Sequence, residues 1–189
     1  MVNIAVFVSG NGTNCENIIR YFSGNTRARV VLVVSNRKDA YALVRARNLG
    51  VPTVTLSKAD LADESKVISL LYTYDISFIA LAGFLLIVPD YLIRHYEGKM
   101  VNIHPSLLPK YGGKGMYGKH VHEAVKAGKE TETGITIHYV NEKYDDGKII
   151  FQAKTDIVPE DSPEDIAAKV HRLEIANYPR VIESLISKT

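Results

Sequence analysis

The chain has 189 residues, 46% hydrophobic and 23% charged, an ordinary globular balance that is long enough to bury one domain-sized core. A net charge of +2 argues against nucleic acid or an anionic membrane as partner, and the single cysteine, Cys15, excludes an intrachain disulfide and points to a reducing compartment. No segment reaches the length of a membrane span, and the N-terminus lacks the basic region of a signal peptide, so a cytoplasmic location is expected.

Residues 2–8 form a continuous apolar run, which predicts a strand covered on both faces. A Gly/Asn/Thr turn follows at Ser9 to Asn14, then a helix from about Cys15 to Phe22 with Ile18, Ile19 and Phe22 inward. Val30 to Val34 is a second buried strand, Asp39 to Leu49 a helix stopped by Gly50, and Val54 lies in a short third strand. Leu61 to Tyr72 reads as one helix, Ile76 to Ala82 as a buried strand broken at Gly83, and Pro89 to Tyr96 as a short helix. Met100 to Ile103 is the next strand. Strands alternating with helices predict a parallel sheet with right-handed crossovers.

The pattern then changes. Lys110 to Gly118 holds four glycines and two tyrosines and reads as a mobile loop. His120 to Ala127 is a helix ended by Gly128. Thr133 to Val140 alternates and pairs antiparallel with Lys148 to Ala153 across a short loop. Ser162-Pro163-Glu164-Asp165 opens a last helix that buries Ile166, Val170 and Leu173, with Pro179 kinking or interrupting it. The fold class is α/β: a Rossmann-like three-layer fold, mostly parallel, with an antiparallel C-terminal extension. No repeat or linker divides the chain, which reads as one domain over 1–189.

Chemistry concentrates at Val101 to Pro109. Asn102 and His104 are two residues apart on an extended strand, so their side chains share a face. Pro105 forbids a further ladder hydrogen bond and ends the strand there. An amide donor beside an imidazole can stabilise an oxyanion and move a proton; a hydrogen-bonded pair at a strand end is the plainer reading. A carboxylate partner would decide for chemistry. Asp145 and Asp146 stand in the turn Tyr144 to Gly147, and an aspartate beside His104 would raise its pKa and help it donate a proton. The Ser9 to Asn14 turn suits one phosphate, since Cys15 replaces the third glycine of a dinucleotide fingerprint and no Walker lysine follows; a tight strand-to-helix turn is the alternative. His138 sits on the polar face of its strand, lining a pocket or facing solvent. Glu174 flanks the apolar stripe of the last helix, where it binds a hydroxyl or stands solvated. Cys15 is read as a small core residue. His120 and His122 do not share a helical face, so no metal is expected.

The run Asn-Ile-His-Pro-Ser-Leu-Leu-Pro-Lys-Tyr at 102–111 resembles the signature of the formyltetrahydrofolate-dependent transferases and hydrolases. The Ser9–Asn14 loop, Leu81 to Phe84, Gly134 to Val140, the turn at Asp145 and Glu174 to Pro179 match in order, over nearly the whole chain. The phosphate loop resembles the branch that formylates glycinamide ribonucleotide in purine synthesis. That resemblance implies formyl transfer from 10-formyltetrahydrofolate, the donor cosubstrate, to the ribonucleotide's amine. Asn102, His104 and Asp145 would be catalytic. Gly12, Thr13 and Asn14 would hold the 5′-phosphate and Glu174 the ribose. Leu85, Leu86, Ile87 and Val88 would line the folate site, with Asn102 and His138 at its border. The half up to about residue 100 would bind the phosphoribosyl group, and the half from about 101 would complete the catalytic and folate sites. Small molecules are the expected partners, with a monomer or weak homodimer as the assembly. The chain departs from the family at Leu85-Leu86, where Met-Arg is frequent, and at Lys148, where proline is common and a solvent-facing side chain is expected. Tyr111 to Gly118 would be a lid over folate. A formyltetrahydrofolate hydrolase and a non-catalytic phospho-sugar binding module are the competing readings.

Overall fold

The computed structural model describes residues 1–187, so the last two residues of the expected 1–189 unit lie outside it. The chain builds β1 (Val2–Val8), α1 (Thr13–Phe22), β2 (Ala28–Ser35), α2 (Tyr41–Asn48), β3 (Thr53–Thr55), α3 (Lys58–Ala62), α4 (Glu64–Thr73), β4 (Phe78–Leu81), α5 (Asp90–His95), β5 (Met100–His104), α6 (Lys119–Ala127), β6 (Glu132–Tyr139), β7 (Ile149–Asp156) and α7 (Pro163–Ile186). One seven-stranded sheet runs β3-β2-β1-β4-β5-β6-β7. The first five strands pair in parallel; β6 and β7 are antiparallel. The expected α/β architecture with an antiparallel C-terminal extension is what forms.

The unbroken apolar run of β1 explains the three layers. Ile4, Val6 and Val8 pack into one core with α1, α2, α6 and α7, while Ala5 and Phe7 face a second core with α3, α4 and α5. Strand order reverses between β2 on one side of β1 and β4 on the other. The loops leaving the carboxyl ends of β1, β4 and β5 therefore open onto a common crevice, where open α/β sheets bind ligands.

Several elements differ from the sequence reading. The single helix at Leu61 to Tyr72 is two: Ser57 and Asp60 form a capping box that starts α3 early, and Asp63 is extended (φ −89°, ψ 95°) and caps α4. The helix expected from Asp39 starts at Tyr41, with Ala40 still extended. The strand expected from Ile76 begins at Phe78. Pro179 does not interrupt α7, which continues for 24 residues. A proline leaves the carbonyl four residues earlier without its helical donor. That carbonyl, Ile175 O, accepts from Asn17 Nδ2 of α1 at 2.9 Å, so the flaw in one helix becomes the dock for another. Of the three residues expected inward, Ile166 and Val170 are buried and Leu173 is half-buried, and Tyr178, Ile182 and Ile186 continue the buried stripe of α7. Tyr178 is fully buried, and its hydroxyl donates to Leu81 O at 2.8 Å, with Val101 O at 3.3 Å, which ties α7 to the ends of β4 and β5. Cys15 is buried, and desolvation pushes its thiol up to about 12. Among the described residues no helix is long and apolar enough to cross a membrane.

Candidate active site

A cavity of about 810 Å³ lies at the strand ends. Its lining includes the Gly10–Asn14 loop, Gly83 to Leu85, Asn102 and His104, the loop Gly113 to Gly118, Asp145, and Glu174 of α7.

β5 turns Val101 and Ile103 into the first core and leaves Asn102 and His104 on the other face, as the two-residue spacing requires. The register of the β5–β6 pair sets Asn102 opposite His138 and His104 opposite Thr136. Thr136 then fastens the segment after His104: its hydroxyl donates to Ser106 O at 2.7 Å and accepts from Leu108 N at 3.0 Å. The loop 141–147 carries Asp145 back over this face. Asp145 has φ 52°, a left-handed conformation that Asn and Asp tolerate best among non-glycine residues. A Cβ at Gly147 would lie 1.6 Å from Tyr139 O, so the return is possible only with glycine there.

The result is a buried polar cluster. Asp145 Oδ2 lies 3.4 Å from His104 Nδ1 and accepts from Gly113 N at 2.9 Å. Asp145 Oδ1 is 3.5 Å from Asn102 Nδ2 and 3.7 Å from His138 Nε2. Asp146 is exposed, so the structure selects the first of the two turn aspartates. His138 is 2% exposed, neither solvent-facing nor on the cavity wall. Its Nδ1 is 2.8 Å from Tyr139 O, which can only accept, so that nitrogen carries the proton. Nε2 is then an acceptor and takes a hydrogen bond from Asn102 Nδ2 at 3.2 Å. His138 thus fixes which end of the Asn102 amide points at the cluster. Antiparallel register placed it there, and no local sequence signal reports register.

His104 is 4% exposed, with Nε2 2.7 Å from Tyr111 O, so this nitrogen donates. Burial holds its imidazole below the ordinary value, against the Asp145 carboxylate and the Tyr111 carbonyl, which pull it up. The aspartate acts in the expected direction, but desolvation outweighs it, so free His104 is a neutral base rather than a standing acid. Burial pushes the Asp145 carboxyl up, yet the neighbouring imidazoles and the Gly113 N–H together bring it below the ordinary carboxylate range.

At the other end of the cavity, Gly12 caps α1 with φ 78° and no side chain capping the helix, which leaves first-turn N–H groups for an anion. A Cβ on Gly12 would sit 2.3 Å from Ala42 Cβ, so glycine also lets α2 approach. Thr13 and Asn14 open the helix. Asn14 Nδ2 donates to Glu174 Oε2 at 3.0 Å, and His171 Nδ1 lies 3.0 Å from the same oxygen. That contact holds the His171 imidazole above its ordinary pKa. Glu174 is therefore a half-buried bridge at the cavity wall rather than a solvated edge.

Of the segment 85–88, only Leu85 lines the cavity. Ile87 points to solvent (58% exposed), and Leu86 and Val88 pack into the second core. The Leu85 N–H is held by Ser9 Oγ at 2.9 Å, a hydroxyl that donates to Asn36 Oδ1. Lys148 is exposed, as expected. The cavity draws on both halves of the chain: Gly83 to Leu85 share it with Asn102, His104 and Asp145, while Glu174 and His171 stand beside Asn14. Sequence reasoning placed Ser9 and Tyr111 only within longer segments, weighed His122 only as a metal ligand and passed over His171. Only His122 carried a signal, a histidine beside the buried Val121 and Val125 of α6. Among the described residues no group of three or more His, Cys, Asp or Glu is placed to hold a metal ion.

Residues 2–182 match the formyl transferase family. The phosphoribosylglycinamide formyltransferase of Haemophilus influenzae is 39% identical over 188 residues, covering 97% of this chain and 86% of that protein. The chloroplastic phosphoribosylglycinamide formyltransferase of Arabidopsis thaliana is 38% identical, and this chain spans 64% of its length. Among solved structures, the phosphoribosylglycinamide formyltransferase of Coxiella burnetii superposes with a TM-score of 0.85 at 39% identity, covering 96% of this chain and 85% of that one.

Proposed function

This chain belongs to the formyl transferase family, and we propose that it transfers the formyl group of 10-formyltetrahydrofolate to the amine of glycinamide ribonucleotide. The observation that carries the reading is the convergence of Asn102, His104 and Asp145 at the end of β5, in one cavity with an uncapped glycine-rich helix start.

In this reading the 5′-phosphate sits on the N–H groups at Gly12, Thr13 and Asn14. His171, held toward its cationic form, adds positive charge at that end. Glu174 takes the ribose hydroxyls. The Asn14 side chain belongs with it: its Oδ1 is buried without a partner and can only accept, which suits a hydroxyl and not a phosphate. The folate lies toward Phe84 and Leu85, with the backbone of 85–88 reading polar edges of the ring and the 113–118 loop covering it.

The substrate amine attacks the formyl carbon, and the carbonyl electrons move onto oxygen. Asn102 keeps one Nδ2–H on His138 and turns the other, which faces Asp145 Oδ1 at 3.5 Å, to that oxyanion; a preorganised donor of this kind stabilises a transition state by about 3–4 kcal/mol. His104 takes up the proton lost by the amine at Nδ1, the nitrogen left free beside Asp145, and gives its Nε2 proton to the departing folate nitrogen as the C–N bond breaks. Asp145 stabilises the imidazolium that forms in between. The products are the N-formyl ribonucleotide and tetrahydrofolate, and no covalent enzyme intermediate is required. The chain acts as one unit through both halves, as a monomer or weak homodimer, which sedimentation checks.

The deciding experiment follows folate absorbance with purified protein and the formyl donor, with glycinamide ribonucleotide added or withheld. Turnover only with the ribonucleotide supports the transferase. Turnover without it indicates hydrolysis, and none from folded protein indicates a binding module.

A further inference from the structure

We infer that His122 is a further substrate-binding residue, contacting the ribosyl-glycinamide portion of the acceptor between Glu174 and the catalytic cluster. The inference deepens the transferase reading and rests on it. Among the described residues two buried side-chain atoms lack a hydrogen-bond partner, Asn14 Oδ1 and His122 Nδ1. Both residues line the same cavity. His122 is 7% exposed, on α6, a helix that otherwise buries Val121 and Val125. An unpaired polar atom in a buried position is costly, and native folds keep few of them outside sites where a ligand supplies the partner.

The chemistry of the pair narrows what that ligand group is. Burial holds the His122 imidazole below its ordinary pKa, so it is neutral near pH 7 and offers one donor and one acceptor. The ionisable groups acting on it are the Glu174 carboxylate and His104. A neutral ring between a ribose-binding carboxylate and the reacting centre suits uncharged hydroxyl and carboxamide groups. The phosphate has its own subsite at the start of α1.

The test uses the full chain. Wild-type turnover that depends on glycinamide ribonucleotide is established first; its absence overturns the transferase reading and this inference with it, whereas the outcomes below overturn this inference alone. His122→Phe keeps a ring without nitrogens, and His122→Ala opens space for added imidazole. Both variants are expected to raise the KM and calorimetric Kd for the ribonucleotide about tenfold, the scale of one neutral hydrogen bond. The folate KM should stay within about twofold, and imidazole should restore His122→Ala. An unchanged ribonucleotide Kd in a folded variant overturns the inference. So does a parallel rise in both KM values with a lowered Tm, which marks a structural role. If His122→Phe does not fold, His122→Ala with and without imidazole decides alone.

Discussion

Asp145→Asn separates charge from geometry in the catalytic cluster. Asparagine tolerates the left-handed backbone at φ 52° and can still accept from Gly113 N, so the turn should survive. What is lost is the negative charge 3.4 Å from His104 Nδ1. At an effective dielectric of about 20, that separation corresponds to about 5 kcal/mol of attraction for a full imidazolium. A transition state carrying half to all of the charge loses about 2.5–5 kcal/mol, roughly a 70- to 5,000-fold fall in kcat. The same cluster fixes the sign of the pH effect. Turnover requires neutral His104, whose pKa lies below the ordinary imidazole value of about 6.5. Wild-type activity should therefore fall as pH drops through a midpoint below that value. The Asp145 carboxylate is a raising influence, so its removal should move the acid limb to still lower pH. The assay is the ribonucleotide-dependent absorbance change, run across pH beside thermal melts. A loss under tenfold in a folded variant would reduce Asp145 to a turn former, and an acid limb moved upward would reverse the electrostatic argument.

Gly12→Ala places a methyl group 2.3 Å from Ala42 Cβ on a backbone at φ 78°, which costs about 1–3 kcal/mol and moves the loop off α2. Calorimetry should show ribonucleotide affinity falling about 5- to 150-fold by that energy, with folate affinity nearly unchanged. Ser9→Ala removes a buried hydroxyl that accepts from Leu85 N, at a cost of about 1–3 kcal/mol in a denaturation melt. The folate KM should rise more than the ribonucleotide KM; equal rises would mean that Ser9 supports only the fold. Asn17→Leu should cost about 1 kcal/mol by unpairing Ile175 O, and less than about 0.5 kcal/mol in a Pro179→Ala background, where position 179 regains its N–H. Additive losses across that double-mutant cycle would show that the two groups do not share the carbonyl.

Sequence alone determined what depends on short-range geometry. The apolar run of β1, buried on both faces, announced a covered parallel sheet, and two-residue spacing put Asn102 and His104 on one face because a strand has a period of two. Ser162 and Asp165 started α7 where a capping box must. The glycine-rich turn after β1 marked the proposed anion subsite, and the resemblance across 102–111 supplied the proposed chemistry. Other features waited on tertiary structure. Antiparallel register put His138 against Asn102, and a slip of one residue would have turned it to the opposite face. The fold-back of loop 141–147 chose Asp145 over Asp146. Pro179 stayed helical, and a side chain 158 residues away takes up the freed carbonyl. The net direction of the His104 pKa followed from burial, which no neighbour in the chain reports. Each of these outcomes depends on which surfaces meet, and local propensity carries no information about partners distant in the chain.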